Sequence, residues 1–192
     1  PYDLIIYSSP DQRANLEQSC KATADWLSHD YGTNVDLPVR FQQMGAGADT
    51  DIFQPRDRRV AREKLSMSHD RPVILMIGPS RIWSTVFMMP YLRLFIALLK
   101  KFQHDQQPCL IIRGPKTPAG ETRALDTFVK TIGLHEHIML NDSAPLPTLF
   151  NASDILIHGS IGASEEAFLL QAMASGVPVI APDVPDYRQI IR

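Results

Sequence analysis

The stretch QAMASGVPVIA, residues 171–181, is the strongest indication of fold class in this chain. Its helix-type residues stop at Gly176, and glycine most readily adopts the left-handed conformation that ends many helices. Pro178 prevents the helix from continuing, and a β-branched run typical of a strand follows it. The stretch therefore predicts a helix that leads within a few residues into a buried strand.

The same alternation of strands and helices extends upstream. Residues 155–158 (ILIH) form another buried-type strand, and further strands are predicted at 73–77, 109–113 and 138–140, with helical segments between them. Strands joined by helical crossovers pair in parallel, so the sequence predicts an α/β fold, a Rossmann-like parallel sheet with helices on both faces. Such sheets bind ligands in the loops that follow the carboxyl ends of their strands.

A change in composition predicts a domain boundary. Residues 45–55 are rich in turn-forming residues and read as an interdomain linker between a first region, 1–44, and a Rossmann-like domain, 56–192. The chain does not begin with Met and ends within a predicted helix. We therefore expect a piece of a longer protein, with the second domain incomplete at its C-terminus.

Composition and charge restrict the function classes. Apolar residues make up 44% and charged residues 21% of the chain, as in ordinary globular proteins. A net charge of −2 gives no support to nucleic-acid binding. Cys20 and Cys109 are too far apart in sequence to suggest a disulfide framework. We see neither a signal peptide nor a transmembrane segment, so we expect a cytoplasmic protein, with room for peripheral membrane contact.

Candidate binding residues follow the predicted strands. Glycines there let a ligand approach the backbone, and free N–H groups at helix starts attract anions, so a phosphorylated ligand is the simplest hypothesis. The candidates are Gly78, Arg81, Arg113, Gly114, His158, Gly159 and Ser160. The alternative is that glycine and proline serve only to turn the chain. Neither a Walker loop nor a dinucleotide fingerprint occurs.

Several other side chains allow two interpretations. His158 could face a ligand or be a structural histidine at a strand end. Glu165 and Glu166 open a helix, where acids are favoured by the dipole, but they also lie beside the predicted pocket and could contact sugar hydroxyls.

The remaining conspicuous residues suggest structure or surface. A basic cluster is interpreted as a solvated helix face: Arg56, Arg58, Arg59 and Arg62. Trp83, Met88 and Met89 are interpreted as packing residues. His135 and His137 have no partners at metal-site spacing, so no metal site is predicted.

From about residue 47 to the end, the chain resembles the carboxyl-terminal, donor-binding domain of retaining glycosyltransferases with two Rossmann-like domains, the GT-B fold of family 4 (group 1). The motifs that carry the resemblance are the interdomain-type segment 47–55, the short helix and turn at 149–154, and the helix-to-strand signature 172–181. Residues 183–192 resemble the loop and helix that follow. Residues 1–44 resemble the end of the acceptor-binding domain.

The resemblance implies transfer of a sugar from a nucleotide-diphosphate donor to an unknown acceptor, with no metal and no cofactor besides the nucleotide sugar. Gln171 falls where the family has the glutamate that holds the ribose, and Ala163 where it has the sugar-binding glutamate. Glu165 or Glu166 would then take the catalytic place. Arg81 is the only cation near the positions where the family has two.

Two other functions remain open. The missing charged residues suggest a catalytically degenerate GT-B domain that serves as a binding or scaffolding module. A sugar-nucleotide epimerase of the same fold is a third hypothesis. Whether the protein is a transferase or a degenerate module, we expect this fragment alone to be inactive, because the acceptor groups would come from residues outside it.

Overall fold

The computed structural model describes residues 4–7, 10–32, 34, 39–78, 80–115, 119–159 and 166–191. The chain divides into two compact units, residues 1–47 and residues 48–192. None of the described helices has the length and apolar character needed to cross a lipid bilayer.

The smaller unit is a single βαβ arrangement. Strand β1 (Leu4–Tyr7) leads into the long helix α1 (Pro10–Tyr31), which returns to strand β2 (Arg40–Gln43). The two strands pair in parallel, with Leu4 opposite Arg40.

The larger unit is built on a five-stranded parallel sheet. Its strands are β3 (Val73–Ile77), β4 (Cys109–Arg113), β5 (Ile138–Asn141), β6 (Ile155–His158) and β7 (Val179–Ile180). Their spatial order is β5-β4-β3-β6-β7, and every neighbouring pair is parallel. The predicted α/β fold with a parallel sheet is confirmed.

Helices cover both faces of this sheet. They are α2 (Arg58–Lys64), α3 (Thr85–Leu99), α4 (Ala119–Thr131), α5 (Leu146–Ala152), α6 (Glu166–Ala174) and α7 (Pro185–Arg188). Residues 80–83 form a separate 3₁₀ helix before α3, and Ser84 caps α3, accepting a hydrogen bond from the N–H of Phe87.

Alternate residues along the strands pack into two separate hydrophobic cores, one on each face of the sheet. Met76 and Ile112 pack with α3 and α4 on one face, and Leu75 and Ile111 pack with α5 and α6 on the other. Full burial of each such side chain contributes about 2 kcal/mol, so the apolar runs of the strands account for both layers.

Three helices end in the same hydrogen-bonding pattern. After α6, the N–H of Gly176 donates to Met173 and that of Val177 to Ala172, and Gly176 has a φ of 75°. Gly133 ends α4 in the same way, with a φ of 73°. The predicted helix stop at Gly176 is confirmed. Helix α2 ends at Ser66 with a φ of 55°, a conformation that is strained for a residue with a Cβ.

The interpretation of Arg62 as part of a solvated face was wrong. Its side chain is only 3% exposed, and it donates to the carbonyls of Ala152 and His69 and to the carboxylate of Asp154. Arg58 reaches the other oxygen of Asp154 from a side chain that is 57% exposed. One face of α2 is thus bound to the sheet through a basic residue, where an apolar one would be usual.

Candidate functional site

The strand order reverses at β3, so the carboxyl ends of β3 and β6 are the expected position of a bound ligand. Chain connections run outward from β3 to β4 and β5 on one side and to β6 and β7 on the other. In open parallel sheets, ligands bind in the crevice at such a reversal. The predicted loops after residues 77 and 158 flank it, because Ile77 pairs with His158.

A row of polar residues crosses this edge. Ile77 is in register with Arg113, which is in register with Asn141 on the next strand. Residues in register on parallel strands project from the same face, which here is the face carrying α5 and α6. The edge thus combines Arg113, Asn141 and His158 on that face.

Arg113 has an unsatisfied charge-bearing group. Its Nη1 donates to the carbonyl of Gly114, but its buried Nε has no hydrogen-bond acceptor among the residues that the structure describes. Burial lowers the pKa of its guanidinium, and the negative charge of Asp142 partly offsets that effect. A half-buried cation with an unused donor favours an anionic ligand.

His158 is buried at the end of β6. It is 1% exposed, and its Nε2 lies 3.0 Å from the hydroxyl of Tyr187, itself 2% exposed. Glu166, at the start of α6, is 5% exposed. Their proposed contacts with a ligand stay predictions, and the histidine ring lies within hydrogen-bonding distance of a phenol.

Two of the predicted glycines lie against the 3₁₀ helix. A Cβ on Gly114 would come within 2.6 Å of both Ile82 and Trp83, and one on Gly78 within 3.2 Å of Ile82. The indole N–H of Trp83 donates to the carbonyl of Pro115 at 2.9 Å. The N–H of Gly78 donates to the carbonyl of Arg113. Close packing is therefore sufficient to explain Gly114, whereas the contact at Gly78 is with the flexible end of a side chain.

Gly159 lies against helix α3. A Cβ there would come within 2.7 Å of the Tyr91 hydroxyl and 2.9 Å of Met76. The same hydroxyl donates to the carbonyl of Gly159 at 3.2 Å. Tyr91 could not be recognised from sequence, because a half-buried tyrosine in an apolar helix gives no sign of a contact with a strand end.

Gln171 presents a second unsatisfied polar atom. Its Oε1 is buried and has no hydrogen-bond donor among the described residues. Gln171 lies in α6, directly before the buried Ala172. A buried amide oxygen without a hydrogen-bond donor costs free energy, and a ligand hydroxyl that donates to it would remove this cost.

Part of the predicted site lies outside the described residues. This applies to Ser160 and Glu165, and only the backbone of Arg81 is described. Among the described residues there is no cluster of three or more His, Cys, Asp or Glu with a metal-binding arrangement.

A further cavity lies at the opposite edge of the sheet. It has a volume of about 300 Å³ and is lined in part by Arg71 and Cys109, near the amino ends of β3 and β4. The Arg71 guanidinium donates to the carbonyls of Gln107, Pro108 and Glu136. Because these bonds explain its position, Arg71 serves to hold the strand starts together.

The parallel sheet and the polar residues at its carboxyl edge define a Rossmann-like α/β domain, and comparison with known proteins gives the family. The model of the family "Glycosyl transferases group 1" matches residues 71–192. The chain belongs to this family, as the sequence resemblance implied.

Curated and solved relatives agree with this assignment. D-inositol 3-phosphate glycosyltransferase 1 of Catenulispora acidiphila is 26% identical over 96% of this chain, which spans 47% of that relative's length. The C-terminal domain of the group 1 glycosyl transferase LpcC from Francisella tularensis is 26% identical, with a TM-score of 0.59, 76% of this chain and 75% of that one covered.

A more distant structure shares the fold alone. Anabaena HepE, solved in complex with UDP and glucose, has a TM-score of 0.65 at 14% identity, covering 98% of this chain and 55% of that one. The present chain thus spans about half of the longer proteins it matches.

Proposed function

We propose that this chain contributes the donor-binding part of a glycosyltransferase, which transfers a sugar from a nucleotide diphosphate to an acceptor. Family membership supports sugar transfer as the reaction class. The single observation that carries the donor class is a pair of buried, unsatisfied polar atoms at predicted donor positions, Nε of Arg113 and Oε1 of Gln171. One is a charged donor and the other is a neutral acceptor.

In this proposal Arg113 binds the diphosphate. When the bond between sugar and diphosphate breaks, negative charge accumulates on the leaving phosphate oxygens. A fixed guanidinium that is already desolvated stabilises this charge without reorganisation of solvent. The donor therefore needs no bound metal, and we expect its affinity to be unchanged by a chelator. Loss of binding in the chelator would contradict this part of the proposal.

Gln171 would bind a hydroxyl of the ribose. Its Oε1 accepts the hydroxyl proton, which removes the cost of the unsatisfied buried oxygen. An amide brings no negative charge, so we expect weaker ribose binding than a glutamate would give. Both cysteines are free, and we place the protein in the cytoplasm, where nucleotide sugars and a reducing environment coincide.

Calorimetric titration of the chain with uridine and guanosine diphosphates and their sugars tests this proposal. Arg113→Met removes a charge-assisted hydrogen bond worth roughly 1.5–3 kcal/mol, so affinity should fall by a factor of about 10 to 100. Arg123→Met is the matched control, because Arg123 is an exposed arginine on α4. Absence of heat with every donor, or equal losses in both variants, would refute the donor site.

A second candidate function is a degenerate, non-catalytic binding module. This function is favoured because side chains of the protein itself lie against the three predicted glycines. These side chains are Ile82, Trp83 and Tyr91. The double substitution Ala163→Glu with Gln171→Glu separates the two functions. A transferase site should gain donor affinity from the restored acids, whereas a degenerate module should gain none.

A further inference from the structure

The exposed face of helix α3 is unusual for a protein surface. Helix α3 buries Met88, Leu92, Phe95 and Leu99 in the core, yet on its other side Val86 is 82% and Leu94 is 70% exposed. Large apolar side chains exposed to this extent on one helix face suggest an interaction surface.

This face also carries positive charge. At 100° per residue, residues 86, 89, 90, 93, 94 and 97 fall within an arc of about 140°, opposite the buried residues. Arg93 lies on this arc and is exposed, and the exposed Lys100 and Lys101 follow directly after the helix end. We call the residues of this arc together with Lys100 and Lys101 the α3 outer face.

No acidic residue interrupts this face. Residues 71–104 contain no Asp or Glu, so the helix and its flanks carry only positive side-chain charges. The chain as a whole has a net charge of −2, and the cations of the α3 outer face are therefore a local feature. Asp105, in the short 3₁₀ helix that follows, is the first acid along the chain after this stretch.

The apolar and cationic parts are arranged along the helix. Val86, Met89, Pro90 and Leu94 line a shallow apolar depression at its amino-terminal half, with Arg93 among them. The lysines lie at its carboxyl-terminal end. An apolar surface flanked by Arg and Lys is the pattern of helices that lie in the plane of a membrane interface.

We propose that the α3 outer face docks on an anionic lipid bilayer. Val86, Met89 and Leu94 enter the boundary between headgroups and acyl chains. Arg93, Lys100 and Lys101 contact anionic headgroups, whose surface potential favours each added positive charge. The proposal goes beyond sugar transfer and does not depend on it, because it uses no residue of the donor site.

Charge favours this occupant over a second copy of the chain. A parallel helix pair would bring the same three cations of each copy together, with no acid on either face to neutralise them, and an antiparallel pair would place the lysines of one copy against the apolar half of the other. Nucleic acid would meet the cations but leave the apolar half exposed. An anionic bilayer satisfies both halves at once.

Vesicle co-sedimentation of the full chain tests the proposal. We expect binding to vesicles of phosphatidylcholine with phosphatidylglycerol, weak binding to phosphatidylcholine alone, and loss of binding in high salt. The triple variant Arg93→Glu, Lys100→Glu, Lys101→Glu should lower the partition coefficient by at least roughly tenfold. Val86→Ser with Leu94→Ser should lower it as well, with no loss of thermal stability, because both side chains are exposed.

A matched control lies on α2. Val60 is 46% exposed and Lys64 is exposed, so Val60→Ser with Lys64→Glu changes the same residue types elsewhere on the unit. This control should bind vesicles as the parent chain does. Equal losses in the control and the α3 variants would overturn the proposal.

Depth of insertion gives an independent measurement. A Val86→Trp variant should show indole quenching by brominated acyl chains that the parent, with Trp26 and Trp83, does not show. Unquenched binding would overturn the insertion. Absence of vesicle binding together with a dimer that Val86→Ser and Leu94→Ser abolish would instead assign the face to a second copy.

Discussion

Nη2 of Arg62 lies 2.8 Å from Oδ2 of Asp154, and the arginine side chain is only 3% exposed. The same oxygen accepts the N–H of Val73 at 2.8 Å. One carboxylate at the start of β6 therefore holds helix α2 and the start of β3. The buried cation and the strand N–H both depend on it.

Loss of this carboxylate should destabilise the larger unit strongly. Asp154→Ala leaves the Arg62 guanidinium buried without its counter-charge, so we expect the free energy of unfolding to fall by about 3 kcal/mol. Urea denaturation in a Trp26→Phe background, followed by Trp83 fluorescence, reports on this unit. Arg58→Gln, which removes the exposed partner, should cost less than about 1 kcal/mol. Equal costs would show that burial of Arg62 is not decisive.

Asn151 should control the attachment of the segment before α2. Its Oδ1 accepts the N–H of Arg56 at 2.6 Å, and its Nδ2 donates to the carbonyls of Gln54 and Pro147. Asn151→Ala removes all three bonds, so residues 49–57 should exchange amide hydrogens faster and trypsin should cleave sooner at Arg56. Thr148→Ala, on the same helix, is the control. Unchanged exchange in Asn151→Ala would contradict this role.

Replacement of Ser66 by glycine should stabilise the larger unit. Its φ of 55° is a left-handed conformation that costs a residue with a Cβ roughly 1 kcal/mol. Ser66→Gly should therefore raise the free energy of unfolding by about 0.5–1 kcal/mol, less the added chain entropy of glycine. Ser68 does not have a positive φ, so Ser68→Gly should lower the free energy of unfolding. A destabilised Ser66→Gly would show that the serine side chain has another role.

Stability should fall in mildly acidic solution through His137. Burial, followed by the positive charge of Arg71, lowers the pKa of His137 below its usual 6.5. The unfolded chain then binds a proton more readily than the folded one. The contribution of His137 is present above about pH 6.5 and is lost as pH falls through the folded pKa. His137→Asn should show a shallower loss of stability by thermal denaturation as the pH falls below about 6.5.

The same position offers an internal test. Nδ1 of His137 lies 2.6 Å from Nη2 of Arg71, so Arg71→Gln should raise the pKa of His137 as followed by NMR titration. An unchanged titration in this variant would leave burial as the sole cause.

Local sequence was sufficient for the succession of elements. The apolar runs that predict β3, β4 and β6 have the bounds expected, because each is buried on both faces and is bounded by turn residues. Gly133 and Gly176 ended their helices for a physical reason that is visible in sequence, the need for a positive φ.

Other features depend on tertiary contacts that no local pattern encodes. Arg62 looks like its exposed neighbours until the sheet supplies Asp154 and the carbonyl of Ala152. Gly114 looks like a ligand loop until Trp83 is placed against it. At the candidate site, the sequence shows an arginine at the end of a strand, Arg113. That its Nε is buried without an acceptor could be found only from the surrounding residues in the structure.

The contact between Tyr91 and Gly159 ties helix α3 to the end of β6. The phenol lies on the same helix as Val86 and Leu94, and its hydroxyl donates to the backbone at the end of β6. The helix that carries the exposed apolar side chains is therefore joined to the carboxyl edge of the sheet by a direct side-chain contact, without any intervening loop.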